Sequence, residues 1–367
     1  MQPRPYWIER IEQAWRQRSV LWLSGVRRVG KTTLCQSLRD VEYFDCELPR
    51  TRRAMEDPEA FLRSLAGKRV VLDEIHRLKN PSELLKIAAD HYTGTRVLAT
   101  GPSTLAATRK FRDSLAGRKI ELWLTPAIDE DLKPLGITSL ERRLHRGGLP
   151  PFLLADNFPE REFQEWLDAY WAKDIQELFR IERRQSFLRF TELVLAASGG
   201  IFEATRFAGP CEVSRTTISN YLAVLEATSV AHVVRPYSTS TTQEIISAPK
   251  VYGFDTGFVS HARGWDTPRR DDLGPLWEHY VLNEIQGRLQ TRNVRYWRDK
   301  QGQHEVDFCS RGAKPPIAIE CKLVRERTVP APSRSSASAT RRPPHSSSPM
   351  MWTGRTGAAS ASSRPRS

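Results

Sequence analysis

The segment GVRRVGKTT, from Gly25 to Thr33, is the part of this chain whose residue types and spacing most directly imply chemistry. It fits the pattern G-x-x-x-x-G-K-[ST], and it follows the apolar run VLWLS and opens a helical stretch, which is the context the pattern requires. Gly25 and Gly30 let backbone amides of the loop, including Val26 and Val29, approach and encircle phosphates, while the helix N-terminus points its partial positive charge at them. Lys31 would neutralise β and γ oxygens, and Thr32 would offer its hydroxyl to Mg2+, a hard cation that keeps oxygen ligands. Thr33 completes the motif and serves helix packing. Arg27 and Arg28 are open between phosphate contact, contact with a neighbouring subunit and a solvated surface role. The expected ligand is ATP with Mg2+.

A second acidic element accompanies the loop. In RVVLDEIHRL an apolar strand ends in Asp73 and Glu74. Asp73 would hold magnesium through water, and Glu74 would orient or deprotonate the attacking water, so the pair favours hydrolysis. The strand ending LATGPS brings Thr100 and Ser103 forward as γ-phosphate sensors or as plain turn residues. SLAGRKIEL presents Arg118 after a short helix, placed to act as an arginine finger at a neighbour's site or as a structural arginine.

Further along, Asp307, Glu320 and Lys322 stand in the spacing D-x12-E-x-K near strand ends, with Glu278 and Glu284 on the preceding helix. Two carboxylates so placed would hold a divalent cation against a scissile phosphate, with the lysine assisting, as in PD-(D/E)-x-K nucleases. In SRTTISNYLAVLEAT, Ser214 caps a helix that turns Ile218, Leu222 and Leu225 inward and Arg215, Thr216, Ser219 and Asn220 outward. A helix followed by a β-ribbon reads as a winged helix, serving DNA or acting as a lever on the rest of the chain.

The elements that must position these groups are legible in outline. Strands are expected at Val20 to Ser24, Val41 to Asp45, Arg69 to Asp73, Arg96 to Thr100 and Lys119 to Leu124, with helices around Lys31 to Leu38, Pro58 to Leu65 and Pro81 to His91. That alternation predicts an α/β fold, a parallel sheet with flanking helices. Residues 157–178 predict one long helix, and residues 276–289, 294–298, 305–309 and 317–321 a small α/β unit. The expected organisation is an ATPase domain at 1–130, a helical neck at 131–185, a winged helix at 186–260, a nuclease-like unit at 270–323 and a Ser/Ala/Pro/Arg-rich tail at 324–367. The tail has too few large apolar residues to pack a core and is expected to be disordered. The unit before it reads as incomplete, as a truncation or a shifted reading frame from about residue 323 would leave it.

With these motifs in order, the chain resembles a bacterial and archaeal family of AAA-superfamily ATPases carrying a C-terminal domain of unknown function. The resemblance runs from Arg10 to about Leu323 and rests also on GGLPPFL, YWAKDI, PKVYGFDTGFV, GPLWEHYVLNEI and IECK. It implies an ATPase core, a winged-helix segment and a restriction-endonuclease-like region. One departure is Pro102, where the family tends to have serine.

Composition narrows the partners. The formal net charge is +13, but eight arginines and one glutamate lie from Leu323 to Ser367, so about half of the excess sits in the tail and global charge is a weak argument for nucleic acid. No run approaches the roughly 18 apolar residues of a membrane span. The five cysteines show no paired spacing, and with the phosphate loop starting at Gly25 a reducing cytoplasm is the expected compartment. The expected partners are ATP, other copies of the chain, and DNA or a protein.

Overall fold

The computed structural model describes residues 3–102, 111, 113, 115–176, 179, 181–238, 247–299, 301, 303–310 and 317–323. Ser103, Leu178 and the 324–367 tail, which carried expectations above, lie outside them.

Five short apolar runs form the first sheet: β1 Val20–Ser24, β2 Glu42–Asp45, β3 Arg69–Asp73, β4 Arg96–Thr100 and β5 Lys119–Trp123. All pairings are parallel and the order is β2-β3-β4-β1-β5. Alternation along β1 sends Leu21 and Leu23 to one face and Val20 and Trp22 to the other, and both faces are covered. Helices α1 Pro5–Gln17 and α2 Lys31–Gln36 pack with the first face, while α3 Pro49–Ala54, α4 Pro58–Ser64 and α5 Pro81–His91 follow β2 and β3. With β4 on one side of β1 and β5 on the other, the loop after β1 emerges where the strand order reverses, the usual ligand crevice of such sheets.

Short helices α6 Asp129–Leu132, α7 Leu140–Arg146 and α8 Pro150–Leu153 lead into α9 Glu160–Tyr170. The long helix expected over 157–178 is shorter: it starts after Pro159 and runs on as a π-helical turn at Trp171–Ile175. Its buried Phe163, Trp166, Leu167 and Tyr170 belong to the same core as Val26, Val29 and Leu34 of the phosphate loop and its helix. That core continues into α10 Arg184–Ala196, α11 Ala204–Ala208 and α12 Arg215–Ala227 through Phe187, Phe190, Tyr221 and Leu225.

The second sheet joins what the sequence reading divided. Strand β6 Gly200–Ile201, which precedes α11, joins β7 Ala231–Pro236 and β8 Lys250–Gly253, which follow α12, in an antiparallel ribbon. Then come α13 Thr256–Ala262, α14 Arg270–Leu289 and strands β9 Val294–Arg298, β10 Glu305–Ser310 and β11 Ala318–Ile319. Parallel pairing of β7 with β9 makes one six-stranded sheet, β11-β10-β9-β7-β8-β6. The C-terminal end of α14 meets the first sheet at a polar rung. The Gln290 side chain accepts from Trp123 N at 2.7 Å and donates to Trp123 O at 3.1 Å, which satisfies the open edge of β5 as a neighbouring strand would.

Candidate functional site

Gly25 takes φ +154 and Gly30 φ +101, and a Cβ on Gly25 would stand 2.6 Å from the Leu124 carbonyl, so only glycine fits there. Between them Arg28 adopts a left-handed φ of 62. Lys31 is buried and its ammonium donates to the carbonyls of Gly25 at 2.8 Å and Val26 at 3.3 Å. Burial pushes the lysine's pKa down, opposed by the charges of Glu74, Asp174 and Asp73. The loop is fixed from behind by Arg4, a residue with no sequence signal. Its buried guanidinium donates to Val29 O at 3.1 Å, Thr125 O at 3.2 Å and Asp131 Oδ2 at 2.6 Å.

Asp73, at the end of β3, collects three hydroxyls. Thr32 Oγ1 donates to its Oδ2 at 2.8 Å, Tyr43 Oη to the same oxygen at 2.6 Å, and Thr100 Oγ1 to Oδ1. Burial, followed by the hydrogen bond to Asp73, raises the Tyr43 pKa and keeps that phenol a donor. Thr100, expected as a γ-phosphate sensor or a plain turn residue, links the two acids, since its Oγ1 also accepts from Glu74 N at 3.0 Å. Glu74 has a left-handed φ of 54, a costly conformation for a side-chain-bearing residue, which turns its carboxylate out of the strand. Its Oε2 lies 3.1 Å from His76 Nδ1. Burial raises the Glu74 pKa, but the His76 hydrogen bond and the Lys31 charge outweigh it, so the carboxylate sits below its usual range. Such a group is a weak base and a good water-orienting acceptor.

The residues fit a magnesium nucleotide. Thr32 and Asp73 bring oxygen donors together beside Lys31, and magnesium needs only one or two protein oxygens beyond phosphate and water. Among the described residues no group of three or more His, Cys, Asp or Glu is gathered as a metal site. A cavity of about 1020 Å³ opens over the loop. Beyond the loop and Glu74, its walls include Pro150 and Leu154, and Trp166, Tyr170 and Asp174 of the neck. Arg27 donates to Asp174 Oδ2 at 3.0 Å, Trp166 Nε1 donates to Arg27 O at 3.0 Å, and Tyr170 Oη lies 2.6 Å from Thr228 Oγ1 at the end of α12. Asp174 was present in the YWAKDI motif, but its spacing marked it only as part of a neck.

The remaining expected residues lie apart. Arg118 precedes Lys119, which pairs with Val20 at the start of β1, so it stands at the sheet edge opposite the phosphate loop, ion-paired to Asp90 at 2.7 Å. Glu320 and Lys322 pair with each other at 2.9 Å on the surface, and Asp307 Oδ2 accepts from Cys321 N at 2.7 Å. The buried cation of that region is Lys250, 3.1 Å from Glu278 and also paired to Glu305. Glu284 accepts from Asp129 N at 2.8 Å and bonds Arg288. On α12, Ser214 caps the helix through Thr217 N, Ile218, Leu222 and Leu225 are buried, and Arg215, Thr216, Ser219 and Asn220 are exposed. No helix among the described residues is long and apolar enough to cross a membrane.

Comparison with known proteins places these parts. An AAA domain model matches residues 17–129, and two models of domains of unknown function, DUF8612 and DUF4143, match residues 137–269 and 273–345. Uncharacterized proteins of Mycobacterium bovis and Mycobacterium tuberculosis are each 27% identical over 342 residues, covering 90% of this chain and 75% of theirs. Among solved structures, a Walker-type ATPase of Pyrococcus abyssi is similar at 16% identity and a TM-score of 0.47, covering 72% of this chain and 96% of that one. Residues 17–129, which hold the phosphate loop and the Asp73–Glu74 pair, thus match an AAA domain, and the two stretches after them match domains of unknown function.

Proposed function

We propose that the protein is a magnesium-dependent ATP hydrolase that passes its nucleotide state through the neck to the C-terminal modules. The observation that supports this best is Asp73, which bonds Thr32 of the phosphate loop and shares Thr100 with the backbone of Glu74. Magnesium, when bound, would withdraw charge from the β and γ oxygens. Lys31 offsets charge on the same oxygens, the loop amides hold the phosphates in line, and Glu74 orients the attacking water.

Phosphate release in magnesium tests the reading. The protein should turn over ATP, and Glu74→Gln should bind ATP while slowing release by about 10²- to 10⁴-fold. Equal, negligible release by both would overturn hydrolysis and favour a nucleotide-dependent switch. Lys31→Ala should abolish ATP binding.

In this reading the chain works as a homo-oligomer and Arg118 acts on a neighbouring copy, because its own site lies across the sheet. Mixing Lys31→Ala with Arg118→Ala subunits should then restore turnover that neither has alone, and failure to restore it in mixed oligomers would count against the finger. The exposed face of α12, with Arg215, Thr216, Ser219 and Asn220, is the proposed contact for DNA or a protein, to be tested by turnover with and without duplex DNA. A nuclease reading would need Asp307, Glu320 and Lys322 to act together. The Glu320–Lys322 surface pair and the closure of Glu278 and Glu305 by Lys250 favour a structural charge cluster there.

A further inference from the structure

Arg27 stands between Gly25 and Gly30, in a loop of the kind whose backbone amides cradle phosphates, and it lines the cavity over that loop. Its Nε donates to Asp174 Oδ2 at 3.0 Å, and among the described residues this is its one side-chain hydrogen bond. The fork of terminal nitrogens is therefore left over, and a guanidinium fork matches phosphate oxygens in a bidentate way. Both side chains are largely covered, with 27% and 17% exposed. The loop cannot drift from the neck either, because Trp166 Nε1 holds Arg27 O at 3.0 Å.

Asp174 belongs to the π-helical turn at Trp171–Ile175, not to the regular α9 helix. Such turns re-aim side chains and are frequent at functional sites. Here the turn carries a carboxylate into the same cavity as Lys31 and Glu74. Burial raises the Asp174 pKa, and the charges of Arg27 and Lys31 oppose that rise. A carboxylate facing a polyphosphate repels it unless a cation screens it, and Arg27 is the cation bonded to Asp174 on the wall of this cavity.

We propose that Arg27 is the residue that distinguishes a nucleoside triphosphate from a diphosphate, and that Asp174 is its positioning residue. The neck carboxylate pins Nε so that the two terminal nitrogens face the outermost phosphate. This rests on the ATP-binding reading above and assigns a specificity determinant within it. It also explains why a segment outside the AAA domain forms one wall of the nucleotide cavity.

Calorimetric titration of the full chain with Mg-ATP and Mg-ADP tests the assignment. Arg27→Gln should weaken ATP by about 10- to 100-fold while changing ADP by no more than about 3-fold, the loss expected for a charge-assisted bidentate contact. Asp174→Ala should lower the ATP-to-ADP preference by about 10-fold, and Asp174→Glu should recover part of it. In the Arg27→Gln background Asp174→Ala should leave the preference unchanged, because a positioning residue has nothing left to position. Retained ADP affinity serves as the folding control in each case. Equal losses for both nucleotides, or an undiminished effect of Asp174→Ala without Arg27, would overturn this inference alone. Absence of any nucleotide binding by the unaltered protein would overturn the phosphate-loop reading and this inference with it.

Discussion

Replacing Gly147 with alanine should cost most of the stability of the region that lies between the first sheet and the second. Gly147 has φ +80, and a Cβ there would stand 1.8 Å from Asp255 Oδ1. That carboxylate has nowhere to go. It is buried, its Oδ2 accepts from Gly148 N at 2.6 Å, and its Oδ1 accepts from Gly257 N at 2.9 Å. Moving it would break two hydrogen bonds to a charged acceptor, at about 1.5–3 kcal/mol each, and the backbone, at φ +80 and ψ −172 in a region kept essentially for glycine, adds roughly 1–3 kcal/mol. The expected loss is therefore about 4–9 kcal/mol, against a whole-domain stability of about 5–15 kcal/mol. Gly136→Ala is the control: its φ is +72, but nothing lies within 4 Å of its Cβ position, so it measures a positive-φ cost with no clash. Urea denaturation of the two variants beside the unaltered protein measures the difference. Equal shifts of the midpoint in Gly147→Ala and Gly136→Ala would refute the reasoning, because they would show that Asp255 can yield without loss.

Three further perturbations have defined outcomes. Tyr43→Phe removes one of the hydroxyls held by Asp73 and should cost about 1–2 kcal/mol while shifting the magnesium dependence of ATP turnover, whereas an unchanged magnesium titration would count against a role for Tyr43 at the metal. His279 is buried beside Arg143 and its pKa is pushed down to about 3, chiefly by burial. Below about pH 6.5 the unfolded chain takes a proton that the folded one refuses until about pH 3, so stability rises with pH across this window. Between pH 7 and pH 5 this group alone should remove about 2 kcal/mol, and His279→Leu should flatten the slope of denaturant midpoint against pH by that amount. His232, buried near Arg292 and also pushed down, leaves a residual slope of the same sign. Lys250→Met strands Glu278 and Glu305 without their buried cation and should destabilise the fold by about 3–5 kcal/mol, read by thermal or urea unfolding. A neutral result would mean that those carboxylates reach solvent or another cation.

What the sequence could disclose was local. The β1, β3 and β4 boundaries follow from apolar runs bounded by turn residues, and Gly25, Lys31, Thr32, Asp73 and Glu74 from two contiguous motifs. Their convergence needed only that β1 and β3 point the same way, which the intervening helices dictate. The groups that complete the site reach it across long separations instead. Arg4 meets Asp131, Arg27 meets Asp174 and Tyr170 meets Thr228 through folding of distant segments, and no spacing rule encodes such a meeting. The β7–β9 pairing is likewise a non-local parallel contact with no turn to announce it.

Arg118 shows how register decides where a motif can act. Its neighbour Lys119 is level with Val20, whereas the phosphate loop starts after Ser24 at the other end of β1. A strand rises about 3.3 Å per residue, so Arg118, one residue before Lys119, and Gly25 are separated by roughly 20 Å along the sheet. An arginine side chain is far shorter than that. The same residue that looks catalytic beside the strand it precedes is thus barred by the sheet from its own nucleotide, and only a second copy packed against that edge could bring its own site within reach of it.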